Sequence, residues 1–233
     1  MVVRVRKLEP SDDRSRFTCG DPDLDSFFRQ HAAKNQFEYF VGTTYVAVDE
    51  ENGVVRGLAT EGGPILGFVT ICPGAIAEKM VRKAVGRGAR ACPLPILRIA
   101  RLGVASAIQK GGIGNALLGA AFDIAIAMSS DAGCSAVLVD AKPGAVSYYE
   151  RYGFIAIPNE EVDEGESNAR PRQTMMFLPM KDIIASGCRS APGTSRRLPH
   201  VFYVACRKLA MKCLEAIGEE SGPKQHDGLS AVL

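Results

Sequence analysis

Residues 98–118, RIARLGVASAIQKGGIGNALL, constrain this chain more than any other stretch. They open on a short apolar run, residues 99–104, with the length and content of a buried strand. A small polar loop follows, then the glycine cluster Gly111, Gly112 and Gly114. Beyond it Ile113, Leu117, Leu118, Ala121 and Phe122 recur at helical spacing. A strand, a glycine-rich turn and a helix N-terminus together form an anion site. The first N–H groups of a helix lack internal partners, and the helix dipole adds to their pull on phosphate. Glycine admits the positive φ angles of such a loop and lets a ligand come close to the backbone. The same elements also make a plain βα turn with no ligand, so the glycines alone leave both readings open.

The 233 residues suffice for one sizeable domain with additions, and 46% hydrophobic with 23% charged residues is an ordinary globular balance. A net charge of +2 gives no argument for nucleic acid by itself. Its distribution says more. Lys79, Arg82, Lys83, Arg87, Arg90, Arg98, Arg101 and Lys110 fall in a segment without Asp or Glu, whereas residues 160–166 are acidic. This predicts one basic face. The seven cysteines form no CxxC pair and are odd in number, which suits small buried hydrophobes in a reducing compartment. The three histidines have no metal-ligand spacing, so no metal is expected. The first residues lack the apolar core of a signal peptide, and no uninterrupted apolar run reaches membrane-spanning length. The expectation is a cytoplasmic protein with no membrane partner.

In chain order, residues 2–8 alternate apolar and charged residues, as a half-buried strand does. Asp21 before Pro22 predicts a capped helix start. Leu24, Phe27, Phe28 and His31 then share one face, with His31 read as packed. Residues 43–49 and 65–72 read as strands. The intervening segment is either a long irregular hairpin, with a turn at Asn52-Gly53, or a hairpin with an inserted strand. A short helix is predicted over 76–85 and a loop over 86–95. The helix after the glycines runs to about Ser129. Residues 136–139 form a second buried strand, parallel to the first because a helix crosses between them. A short helix over 143–151, a strand over 153–157, a polar loop over 160–172 and a strand over 174–178 complete the domain. Past about Ser186 the composition turns to Gly, Ser, Arg and Pro, which reads as a linker. An amphipathic helix over 201–217 and a disordered tail are expected after it. The organisation is therefore a domain over 1–186 and an extension over 187–233.

The dinucleotide spacing GxGxxG and the GxxxxGK[ST] loop are both absent. Gln109-Lys110-Gly111-Gly112-Ile113-Gly114 instead resembles the Q/R-x-x-G-x-G/A loop of the GNAT superfamily of acyl-CoA-dependent N-acetyltransferases. A second match, residues 139–154, VDAKPGAVSYYERYGF, resembles that family's fifth strand and its following FYE-x-x-GF helix. At the front, Phe17-Thr18-Cys19-Gly20, Leu24-Asp25 and Thr44-Tyr45-Val46-Ala47 look like the branch that includes bacterial toxin acetyltransferases. The resemblance covers roughly residues 3–180. Residues 55–64 and everything after about Ser186 depart from it.

The resemblance implies an α+β or α/β fold, a mixed sheet whose two central parallel strands splay, flanked by helices, with the C-terminal helical extension added to it. It implies acetyl-CoA as cosubstrate. Leu102, Gly103 and Val104 would hold pantetheine through the backbone. Gln109, Lys110, Gly111, Gly112, Ile113, Gly114 and Asn115 would bind pyrophosphate, mainly through N–H groups. Tyr149 aligns with the tyrosine that protonates the leaving thiolate, a role open to a phenol that stays protonated at neutral pH. Tyr148 and Tyr152 read as packing residues. Asp140 and Glu150 are the nearest candidates for a general base, and solvent is the alternative. The toxin-like branch implies the amino group of aminoacyl-tRNA as acceptor, a ribbon-helix-helix antitoxin as partner and a homodimer. A small amine or a protein amino group is the second acceptor reading. A non-catalytic module that binds CoA or a partner is the third.

Overall fold

A computed structural model of the chain describes residues 2–49, 64–77, 93–157 and 173–187. Among the described residues, seven strands form one sheet in the order β1-β2-β3-β4-β5-β7-β6. They are β1 (Val3–Lys7), β2 (Thr43–Asp49), β3 (Ile65–Ile76), β4 (Leu94–Val104), β5 (Ala136–Ala141), β6 (Ile155–Ala156) and β7 (Thr174–Pro179). The helices are α1 (Pro22–Ser26), α2 (Ala32–Phe37), α3 (Ile113–Asp131), α4 (Val146–Glu150) and α5 (Met180–Ala185). Every strand pairing is antiparallel except that of β4 with β5, the two strands joined through α3. The mixed sheet and its central parallel pair are as the sequence implies.

One face of the sheet is covered by α3. Its Ile113, Leu117, Leu118, Ala121, Phe122 and Ala125 are buried against Leu97, Ile99, Val137, Val139, Met176 and Leu178. Each large side chain buried there contributes roughly 1.5–3 kcal/mol. By length and composition α3 would also pass for a membrane span, but these residues face the sheet.

The opposite face carries α1 and α2. Asp21 caps α1 by accepting the N–H groups of Asp23 and Leu24, as the Asp-Pro start predicts. Phe28 stacks on Phe68 with ring centroids 4.2 Å apart, and Phe17 meets both rings edge-on at 4.8 and 5.4 Å. Between α1 and α2 lies a π-helical turn, Phe27–His31. That turn corrects the reading of His31. A π turn takes one residue more than an α turn, so the buried face passes from Phe28 to Ala32 and leaves His31 exposed.

Several boundaries also differ. β3 continues through Pro73 and Gly74 to Ile76, where a helix was expected to begin. Proline is tolerated there because β2 pairs with β3 only as far as Ile71, so the outer edge of β3 needs no donor. β4 starts at Leu94, inside the expected loop, because Pro95 and Ile96 pair with Ala75 and Gly74. The expected turn and return over 50–63, most of the helix over 76–85, the acidic loop over 160–172 and the extension from residue 188 lie outside the described residues.

Candidate active site

The parallel strands β4 and β5 stay together only from Ile96 opposite Ala136 to Ile99 opposite Val139. β4 then follows β3 to Val104, while Asp140 and Ala141 of β5 follow β7. Arg101 is opposite Thr70 and Ile99 opposite Ile71, so Ala100 is an extra residue on β4. A bulge of this kind bends its strand and shifts the alternation of side chains by one. Leu97 and Ile99 face α3 before the bulge, and Leu102 and Val104 do so after it. Arg98, Arg101 and Gly103 point to the other face. There the Arg101 guanidinium lies 5.1 Å from the Phe27 ring centre, and a Cβ on Gly103 would meet Phe68 at 2.8 Å.

Beyond the end of β4, a 3₁₀ turn (Ser106–Ile108) leads into the glycine loop. Lys110 has φ +68° and Gly112 φ +86°, the left-handed region that the loop was expected to need. Gly112 is the N-cap of α3 and offers no side-chain cap, and the first turn of α3 contains no acidic residue. Its helical bonds begin with Asn115 and Ala116, both donating to the Gly112 carbonyl. The N–H groups before them have no intrahelical acceptor, and a Cβ on Gly112 would meet nothing within 4 Å. The turn therefore opens onto free space with unpaired helix-start donors and no carboxylate to repel an anion. A phosphate fits that surround. Lys110, Gly111 and Gly112 are exposed in it.

The other predicted residues divide by role. Ile113 is 1% exposed, and its side chain belongs to the core. Gln109 spends its side-chain amide as a brace, donating to the carbonyls of Cys19 at 2.9 Å and Val104 at 3.3 Å. Asn115 accepts a hydrogen bond from the Tyr152 hydroxyl through Oδ1. Packing is thus only part of what Tyr152 does: it ties α4 to the first turn of α3.

Tyr149 is buried in the same cluster as Val139 and Ala141 of β5, with its ring 5.4 Å from Phe154 and 5.1 Å from Tyr148. Burial drives its pKa above the ordinary phenol value. Tyr148 lies against the start of α3: a Cβ on Gly114 would come within 3.0 Å of its hydroxyl. Burial, chiefly, also pushes the Tyr148 hydroxyl up.

The front segment was noted in the sequence only for its resemblance, and its position was not legible there. Residues 18–21 run across the end of β4. Ser106 N–H donates to the Thr18 carbonyl at 3.0 Å, and Gln109 grips the Cys19 carbonyl. The buried Asp25 carboxylate accepts the Cys19 N–H at 2.7 Å and the Thr18 hydroxyl at 2.8 Å. Cys19 is buried, and desolvation pushes its thiol up to about 11, so it remains a thiol at neutral pH. On the far side, Lys142, which follows β5, reaches Asp21.

Of the basic segment, Arg98, Arg101 and Lys110 are described. Arg98 is paired with Asp140 and Arg101 rests over Phe27, so these two guanidiniums already have partners. The Arg98 pair also removes Asp140 from service as a free base.

Comparison with known proteins agrees with this architecture. A model of the acetyltransferase (GNAT) domain matches residues 58–169. A tRNA-acetylating toxin from Mycobacterium tuberculosis (strain ATCC 25618 / H37Rv) is 27% identical over 159 residues, spanning 66% of this chain and 86% of that protein. A tyrosine-to-phenylalanine mutant of the toxin AtaT, bound to the C-terminus of the antitoxin AtaR and acetyl-CoA, has the same fold. Its TM-score is 0.60 at 21% identity, covering 81% of this chain and 100% of that one. AtaT complexed with acetyl-methionyl-tRNAfMet gives 0.63 at 20% identity, covering 78% of this chain and 98% of that one. A sheet splayed beside a glycine-loop helix, joined to these sequence matches, makes this chain similar in fold and in sequence to acetyltransferases of the GNAT family.

Proposed function

We propose that this chain is a GNAT acetyltransferase that uses acetyl-CoA and transfers the acetyl group to the amino group of aminoacyl-tRNA. The observation that carries the reading is the gap opened between β4 and β5 beyond Ile99 and Val139, with the glycine loop at its edge. Strands that no longer pair with each other leave the backbone of Leu102, Gly103 and Val104 free to bond pantetheine on that side. The loop from Gln109 to Asn115 then receives the pyrophosphate on the N–H groups of Gly112, Ile113 and Gly114, while the Gly111 N–H closes the preceding turn on the Ile108 carbonyl. Lys110 adds charge, and Gln109 and Asn115 hold the loop's shape through Cys19, Val104 and Tyr152.

When bound, acetyl-CoA supplies a thioester that a neutral amine attacks directly: a C–N bond forms, the C–S bond breaks, and the amine proton passes to solvent. The protein's part is to hold both reactants in line and to stabilise the departing sulfur. Tyr149 does the latter. Burial keeps the phenol protonated, so it acts as the general acid: its proton passes to the leaving thiolate and is recovered from solvent.

The relatives support the acceptor reading: the mycobacterial protein is named a tRNA-acetylating toxin, and AtaT is solved with acetyl-methionyl-tRNAfMet. The same reading supplies a ribbon-helix-helix antitoxin as partner, supported by AtaT bound to the C-terminus of AtaR. It also supplies a cytoplasmic location, a homodimer, and an acetyltransferase domain over residues 1–186.

Incubation of the full chain with labelled acetyl-CoA and charged tRNA tests this. Labelled N-acetyl-aminoacyl-tRNA is the expected product. Tyr149→Phe should lower kcat by about 10²–10³-fold with acetyl-CoA affinity unchanged. No transfer to tRNA and no growth loss on expression would rule out the tRNA acceptor in favour of a small amine or a protein amino group. Acetyl-CoA binding without turnover on any amine would leave a binding module.

A further inference from the structure

The segment from Thr18 to Asp21 is attached on both sides of the gap between β4 and β5. At the β4 end, Ser106 N–H donates to the Thr18 carbonyl and Gln109 Nε2 donates to the Cys19 carbonyl. At the β5 end, Lys142 Nζ meets Asp21 Oδ2 at 2.5 Å and Asp23 Oδ2 at 3.8 Å. Between these anchors, Cys19 Sγ lies 3.4 Å from the Cβ position of Gly103, on the strand that borders the gap. Gly20 makes the turn at φ +85°, a conformation that a side chain would strain. The Asp25 carboxylate fixes the middle of the segment from below.

The Asp21 carboxylate has two jobs that can be separated. Its Oδ1 caps α1, accepting the N–H groups of Asp23 and Leu24, while Oδ2 takes Lys142. The first job needs a side-chain oxygen. The second needs charge.

We propose that residues 18–21 form a strap over the mouth of the gap on the α1 side, and that the Asp21–Lys142 pair is its positioning clasp. The clasp shields the thioester from water until an acceptor amine enters. This rests on the acetyl-CoA reading above. Without the clasp, water attacks the acetyl carbonyl in place of the amine: a C–O bond forms, the C–S bond breaks, and a water proton goes to the sulfur. Acetate and the CoA thiol are released.

The test measures thiol release from acetyl-CoA by the full chain with no acceptor present. Asp21→Asn keeps a good capping oxygen but removes the charge; Lys142→Met removes the other partner; Lys142→Arg retains the pair. Both pair-breaking variants should leak faster by about twofold to fivefold, the rate equivalent of one partly exposed ion pair, and Lys142→Arg should leak at the wild-type rate. Hydrogen exchange of the peptide containing Ser106 should rise in the same two variants, because its amide is bonded to the strap. An unchanged leak, or a Lys142→Arg variant that leaks like Lys142→Met, overturns the clasp. Unchanged exchange at Ser106 does so independently of turnover. Calorimetry keeps the two proposals apart: wild-type protein that binds no acetyl-CoA overturns the acetyl-transfer reading and the clasp with it. Binding with an unchanged leak overturns the clasp alone.

Discussion

Arg98 Nε donates to Asp140 Oδ2 at 2.9 Å, joining β4 one residue before the last rung that the strands share to β5 one residue past it. The pair holds the strands together where their backbones part, on the face away from α3. The Arg98 side chain is 47% exposed and that of Asp140 19%, so solvent screens the attraction. Asp140→Asn should cost no more than about 1 kcal/mol of stability, and turnover should stay within a fewfold of wild type, because the carboxylate is already engaged. Urea unfolding and steady-state rates check both. A loss of turnover by orders of magnitude would restore Asp140 as the general base.

A buried pair deeper in the sheet behaves differently. The hydroxyls of Thr44 and Thr70 lie 2.8 Å apart and are both buried beneath α1 and α2. Thr70→Val strands the Thr44 hydroxyl without its partner and should cost about 1–3 kcal/mol. Replacing both threonines by valine should cost less than the two single losses added together, as a double-mutant cycle in denaturant would read. Strict additivity would mean that the bond contributes nothing.

Among the described glycines, Gly67 is the tightest against backbone. A Cβ there would meet the Gly103 carbonyl oxygen at 2.8 Å and Leu117 Cδ1 at 3.0 Å. The carbonyl belongs to the neighbouring strand and cannot rotate away. Gly67→Ala should therefore destabilise the fold by about 1–3 kcal/mol. Gly119→Ala on α3, with nothing within 4 Å of the new atom, should be neutral or gain up to about 1 kcal/mol from helix propensity. Thermal melts of the pair give the contrast, and equal midpoints would refute it.

Acid should unfold the protein through two aspartates. At Asp12, burial raises the carboxyl pKa but is outweighed by the Arg6 fork, at 2.6 and 2.8 Å, and by the Glu9 N–H. At Asp25, burial is outweighed by the Cys19 N–H and the Thr18 hydroxyl. Both therefore titrate below the unfolded value of about 3.9. Between the two values the unfolded chain binds more protons, so stability rises with pH there. The contribution is complete above about pH 5, a unit above the unfolded value, and is lost as pH falls through the folded values. Denaturant midpoints should be level from neutrality down to about pH 5 and then fall, less steeply in Asp12→Asn. The same slope in wild type and variant would exclude Asp12 as a source.

The strand–glycine loop–helix unit was legible because each part is local. Apolar runs, helical spacing and glycines at positive φ are decided within a few residues of chain, and Lys110 and Gly112 stand in the left-handed region accordingly. The parallel pairing of β4 and β5 was legible for a related reason, since a chain that crosses by a helix returns in the same direction. Tyr149 was singled out by its motif, and its deep burial is a consequence of packing alone.

What the sequence could not decide depended on partners far along the chain. The bulge at Ala100 is defined only by register against β3, and it alone puts Arg98 and Arg101 on the same face. The π turn that exposes His31 adds one residue to a pattern that otherwise reads as continuous helix. The front segment carried a resemblance but no address. Gln109 and Cys19 are 90 positions apart, and Lys142 and Asp21 are 121 apart. Hydrogen bonds over such distances leave no periodicity to read. They exist because the α1–α2 layer and the ends of β4 and β5 are packed against the same sheet, and only that packing brings the strap to the mouth of the gap.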